Sequence, residues 1–123
     1  MLDGILNELK LLNGFKAAFI SDYSGDVLLE ETKNNIYEFK ALSNELNELF
    51  HNMHGLSSKY RFGSIASLQI KTDSDIIFLL CSGEEQRIHF HLYAFFELDV
   101  NQVLVIRAAE SIILEVLSKN NKL

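Results

Sequence analysis

The sequence predicts an α+β domain with the element order α-β-β-α-β-β-β-α and a five-stranded, mostly antiparallel sheet. Three observations predict it. Apolar residues alternate along the chain between helical spacing and strand-like runs, in that order. Short polar or glycine-containing turns join most strands, which makes neighbours antiparallel except across the long central helix. The run Ile76 to Cys81 is apolar on both faces, so helices cover both sides of the sheet, the central helix on one and the two terminal helices on the other. A chain of 123 residues forms a single domain spanning 1–123.

Leu2, Ile5, Leu6, Leu9 and Leu12 recur at helical spacing, and Gly14 closes that pattern as a helix-terminating glycine does. Phe15 to Asp22 reads as a strand and Val27 to Glu30 as its hairpin partner. Asp22-Tyr23-Ser24-Gly25-Asp26 forms the turn, with Gly25 free to take positive φ. The turn has the opening of a calcium loop, but its glycine arrives two positions early and Lys33 stands where the closing glutamate belongs.

Ile36 to Ser57 is the longest helix. Phe39, Leu42, Leu46, Leu49, Met53 and Leu56 form a narrow heptad-like seam, which is expected to face the sheet or a partner helix. Glu38, Ala41, Glu45, Glu48 and Asn52 lie opposite and are expected to be wet. Ile36, Ser43, Asn47, Phe50 and His54 make an intermediate stripe, and Phe50 has no evident place in a core buried by the seam alone.

After the loop Gly55 to Gly63, Ser64 to Lys71 alternates, with Ala66, Leu68 and Ile70 against Ser67, Gln69 and Lys71. That is a strand near a sheet edge. Thr72 to Asp75 and Ser82 to Gln86 read as polar turns. Ile88 to Phe96 is the last strand, and Val100 to Ser118 the last helix, with Val103, Ile106, Ile113 and Leu117 as its stripe.

Composition removes several functions. Lys and Arg total 11 against 17 Asp and Glu, a net charge of −6, and nucleic-acid binding rests on clustered cations. The apolar run Ile76 to Cys81 is far short of the ~20 residues that span a bilayer, and the start lacks the basic region of a signal peptide. Neither membrane insertion nor secretion is expected, and the location is read as cytoplasmic. The six glycines are too dispersed for a Rossmann or P-loop fingerprint. No nucleophile elbow or His-Glu-x-x-His motif occurs, so no enzyme and no catalytic residue are expected. One cysteine leaves no internal disulfide and no Cys-based zinc site. His51 and His54 lie one helical turn apart, but no third or fourth ligand is identifiable, so neither a metal nor a cofactor is expected. His89 and His91 share one face of an interior strand and read as neutral, hydrogen-bonded core histidines.

The first helix, Gly14-Phe15 entering the strand, and the run from Ala18 through Asp22-Tyr23-Ser24-Gly25 to Leu28 resemble the Roadblock family, the dynein light-chain roadblock-type domain related to longins. The resemblance covers the whole chain by element order and departs in the polar, bulky start of the central helix, where only Ala41 is small. It implies a dimer with itself or a like domain, with third strands paired edge to edge and central helices side by side. It thereby places Ile36, Ser43, Asn47, Phe50, His54, Ile65, Ser67 and Gln69 at the interface. It also implies a platform or regulator for a small Ras-like GTPase of the gliding-motility type. Glu38, Ala41, Glu45, Glu48 and Asn52 would offer the partner surface. Arg61 is the candidate among three arginines for reaching the GTPase, more to steady its switch loops than as a catalytic finger. The competing readings are a structural adaptor without a GTPase and a profilin- or PAS-like ligand sensor. The sensor would need a cavity lined by residues such as His89, His91 and Tyr93.

Overall fold

A computed structural model describes residues 4–34, 37–83 and 88–120. Asn35 and Ile36, Glu84 to Arg87, and both chain ends (Met1 to Asp3, Asn121 to Leu123) lie outside the described residues. The elements are α1 (Asn7–Lys10), β1 (Phe15–Asp22), β2 (Val27–Thr32), α2 (Tyr37–Lys59), β3 (Ser67–Lys71), β4 (Asp75–Cys81), β5 (Phe90–Glu97) and α3 (Gln102–Asn120). The predicted order is met element by element.

The sheet runs β2-β1-β5-β4-β3. Every pairing is antiparallel. The expected exception across the central helix does not arise, because α2 carries the chain from one sheet edge, β2, to the other, β3. The last strand made, β5, occupies the centre.

Two cores sandwich the sheet. Ile5, Leu6 and Leu9 from the start of the chain and Val105, Ala109, Ile112 and Val116 from α3 pack on Phe15, Ile20, Phe78, Leu92 and Phe96. On the other face Leu46 and Phe50 of α2 pack on Ala17, Phe19, Ile77, Leu79, Tyr93 and Phe95. A register shift between Phe15 and Ala17 inserts Lys16 into β1. The shift lets Phe15 and Ala18 share one face although their spacing is odd. Lys16 pairs with Asp75.

Local geometry explains the boundaries. Gly14 takes φ +90° and its carbonyl accepts from Glu97 N–H, which ties the end of the first helical segment to β5. In the β1–β2 turn one carboxylate oxygen of Asp22 accepts from the Ser24 hydroxyl at 2.7 Å and from the Ser24 and Asp26 N–H groups at 3.0 Å. Those bonds, the Ser24 hydroxyl foremost, hold the Asp22 carboxyl below its ordinary range. The turn's own hydrogen bonding thus accounts for its aspartates.

Two predicted stripes shift. In α3, Val103 is exposed and the buried line runs through Val105, Ala108, Ala109, Ile112, Ile113 and Val116. In α2, Leu42, Leu49 and Leu56 of the seam are exposed, whereas Ser43, Leu46, Asn47, Phe50 and His54 are buried. Phe50 therefore belongs to the chain's own core, with no exposed surface.

Candidate functional site

The outer face of α2 carries two parallel ridges. Leu42, Leu49 and Leu56 recur every seventh residue and are 41%, 41% and 51% exposed, so roughly half of each side chain lacks apolar cover. Glu38, Glu45 and Asn52 recur at the same interval beside them, with Glu48 one turn on from Glu45, and all four are exposed. Ala41 is half-buried. The outer face of α2 thus combines an apolar heptad ridge with a charged one.

The helix ends in a strained turn. Phe62 N–H reaches back to Ser57 carbonyl at 2.9 Å and Arg61 N–H to Ser58 carbonyl at 3.0 Å. This Schellman arrangement puts Arg61 at the left-handed position, with φ +68°. Glycine ordinarily sits there because a Cβ is costly. Tyr60, Arg61 and Phe62 project from it exposed, Phe62 by 83%. Beyond the turn, β3 is a sheet edge, paired with β4 alone in the strand order. Ser67 and Gln69 are exposed there, while Ile65 is half-buried against the α2-side core.

Under α2 lies a buried polar cluster. Asn47 Oδ1 accepts from Tyr93 Oη–H at 2.7 Å and lies 2.8 Å from His91 Nδ1. A carbonyl oxygen only accepts, so His91 Nδ1 carries the ring proton and Nε2 its lone pair. Asn47 Nδ2 reaches Tyr23 carbonyl at 3.4 Å, and a Cβ on Gly25 would meet it at 3.1 Å. Asn47 thus joins α2, the β1–β2 turn and β5. Burial and the neighbouring His89, His51 and His54 push His91 from its ordinary 6.5 to about 3. Burial raises Tyr93 from 10.0 to about 12. The Phe50 ring stacks at 4.7 Å on both His54 and His91. These rings stack on one another where a sensor's cavity is expected, and a pocket lined by Tyr23, His51, His54, Gly55 and Ser58 opens beside them.

The register of β4 and β5 sets Cys81 opposite His91. His54, Cys81, His89 and His91 each bring a donor atom within 4.8 Å of the others. The expectation that no further ligand accompanies the helix histidines is therefore corrected. Strand pairing supplies what sequence spacing could not. His51 stays outside the group and stacks on Tyr23 at 4.4 Å.

No protein-family model matches the chain, and no curated protein matches it. Solved structures do. Myxococcus xanthus MglB superposes with a TM-score of 0.81 at 14% identity, over 98% of this chain and 92% of that one. A Roadblock/LC7 domain from Streptomyces avermitilis superposes at 0.77 with 10% identity, over 89% and 88%. The chain has the Roadblock/LC7 fold. An MglB with a tetrameric arrangement shares that Roadblock/LC7 fold at a TM-score of 0.74 and 15% identity, over 96% of this chain and 82% of that one.

Within the Roadblock/LC7 fold, the sites expected from sequence divide in two. Ser43, Asn47, Phe50 and His54, expected at a dimer interface, instead face the chain's own sheet, because β5 presents His91 and Tyr93 for them to cover. Ser67 and Gln69, and on α2 Glu38, Glu45, Glu48 and Asn52, reach solvent, as does Arg61. The leucine ridge, which hydrophobicity favours as the inner line, is turned outward. Its signal is the same seven-residue spacing, which fits an outer seam as well as an inner one.

Proposed function

We propose that the protein is a non-enzymatic, dimeric interaction module of the cytoplasm, serving as platform or regulator for a small Ras-like GTPase of the gliding-motility type. The leucine ridge of Leu42, Leu49 and Leu56 carries this reading. A regular apolar ridge on an otherwise wet face of a Roadblock/LC7 fold suits a second copy of the same helix across a two-fold axis. The adjoining β3 edge, with Ile65, Ser67 and Gln69, suits strand pairing across the same axis and would thereby be capped. The tetrameric arrangement of one similar MglB structure supports self-association.

The acidic ridge remains free in such a dimer and suits a partner with a basic contact patch. Glu38, Glu45, Glu48 and Asn52 would form it, with Ala41 between them. Arg61, held exposed by the helix-ending turn, would reach the GTPase's switch loops from the side.

Sedimentation over a concentration series tests the dimer. The expected species is twice 14.0 kDa, and Leu49→Asp weakens it by about 30-fold or more, the scale of a central interface residue. A wild-type chain that stays monomeric at high concentration rejects the dimer. Glu45→Lys with Glu48→Lys is expected to keep the dimer and lose GTPase capture. Undiminished capture by that double variant rejects the platform.

A further inference from the structure

We propose that Cys81, His89 and His91, with His54 as fourth donor, form a binding site for a transition-metal ion of the Zn2+ class beneath α2. The inference does not depend on the dimer or on a GTPase.

The placement comes from the sheet. Cys81 ends β4 directly opposite His91 of β5, His89 lies two residues before His91, and α2 sets His54 above them. All four donor atoms lie within 4.8 Å of one another, and Cys81 Sγ and His89 Nε2 are already 3.1 Å apart. With metal–sulfur bonds of about 2.3 Å and metal–nitrogen bonds of about 2.0–2.1 Å, tetrahedral ligands sit roughly 3.3–3.8 Å apart. Rotamer adjustments of about an ångström close the set.

The donor chemistry selects the ion. One thiol and three imidazoles, without a carboxylate in the group, suit Zn2+ and its relatives and do not suit Ca2+ or Mg2+. His91 is prepared as a ligand. Its Nδ1–H donates to Asn47 Oδ1, which fixes the tautomer and leaves the Nε2 lone pair available. That Nε2 is buried and has no hydrogen-bond partner among the described residues. His91 has no exposed surface. A lone pair in that state costs stability, and a metal ion would use it. Asn47 then plays the orienting part that a carbonyl beyond the ligands commonly plays at metal sites. Gly83 N–H points to Cys81 Sγ at 3.3 Å, a donor that steadies a thiolate.

His54 is the weakest member. Its Nδ1 accepts from Ile65 N–H at 3.2 Å, so its ring proton sits on Nε2. It completes the tetrahedron only by turning away from that contact. An ion held here would clamp the C-terminal half of α2 to the ends of β4 and β5.

The test uses the full, untagged chain and Co2+ as probe. The expected result is one Co2+ per chain, with the thiolate-to-cobalt charge-transfer band and the intense visible bands of a tetrahedral site, both abolished by excess Zn2+. Cys81→Ser removes the charge-transfer band. His54→Gln retains it at about 10-fold weaker affinity. His89→Gln, at a half-buried position just before β5, removes the tetrahedral bands and guards against a fold defect in Cys81→Ser. Added Zn2+ raises the wild-type Tm and leaves that of His89→Gln unchanged. A wild-type chain that leaves the spectrum of hydrated, octahedral Co2+ unaltered overturns the site, and so does a charge-transfer band that survives Cys81→Ser.

Discussion

The two faces of the sheet are built on different terms. Among the described residues, nineteen buried apolar side chains form one cluster on the α1/α3 face. On the α2 face the apolar cluster has eight buried members among the described residues, and Ser43, Asn47, His54 and His91 are buried beside it. The first face supplies most of the hydrophobic drive to fold, since that drive scales with apolar area removed from water. The second covers polar side chains that must be satisfied one by one, which fixes the position of α2 through named hydrogen bonds. The fold is thus held from one side, while the other side sets the geometry of the helix that presents the outer ridges.

Substitutions can break or sharpen this contrast. Phe96→Ala, at a fully buried ring on the α1/α3 face, is expected to cost about 3–5 kcal/mol in urea unfolding, a large part of a small domain's stability. Asn47→Ala strands both His91 Nδ1–H and Tyr93 Oη–H and is expected to cost about 2–3 kcal/mol with little apolar area lost. If it costs nothing, the α2 face is held by packing alone and the contrast fails.

The pH profile separates the faces more finely. The His91 protonation point is depressed on folding, from 6.5 to about 3. The unfolded chain therefore binds the proton first, so the contribution of neutral His91 is complete above about pH 6.5 and is lost as pH falls toward 3. His51, His54 and His89 face the same ring and add to the repulsion. The unfolding free energy of the metal-free chain, from urea titrations at descending pH, should fall with a slope of up to about 1.4 kcal/mol per pH unit for this one proton. His91→Gln should flatten that part of the slope, and an unchanged slope would assign the pH response elsewhere. The smallest effect is expected at the end of α2. Arg61→Gly relieves the left-handed strain and should add about 0.5–1 kcal/mol. A loss of stability there would mean that the Arg61 side chain supports the fold.

The order of elements was legible because each carries its own period. Ile76 to Cys81 is apolar throughout and reads as a covered strand, and the β5 alternation of Phe90, Leu92, Ala94 and Phe96 is taken up by the α1/α3 core as spaced. The burial side of α2 was not legible. Reading hydrophobicity alone favours Leu42, Leu49 and Leu56 as the inner line over Ser43, Asn47 and His54. That ranking knows nothing of the His91 and Tyr93 side chains waiting on β5 for polar partners. Small residues misled in the same way on α3, where Ala108 and Ala109 are buried and the larger Val103 is not. The four-membered donor group was hidden for a third reason. Its members come from a helix, two neighbouring strands and the residue just before β5, and Cys81 meets His91 only through a register that the spacing of apolar residues does not specify.

The central place of β5 has a consequence for how the chain reaches its native state. The β1–β2 hairpin and the β3–β4 hairpin touch β5 but are not neighbours of one another in the strand order. A lone two-stranded hairpin is marginal in water. A growing polypeptide therefore holds two incomplete ribbons until Phe90–Glu97 has emerged to join them. Folding should be a single late event that waits for distant segments to meet, slow for a chain of this size. Any fragment ending before those eight residues should behave as unfolded and expose the apolar strand Ile76 to Cys81 to aggregation.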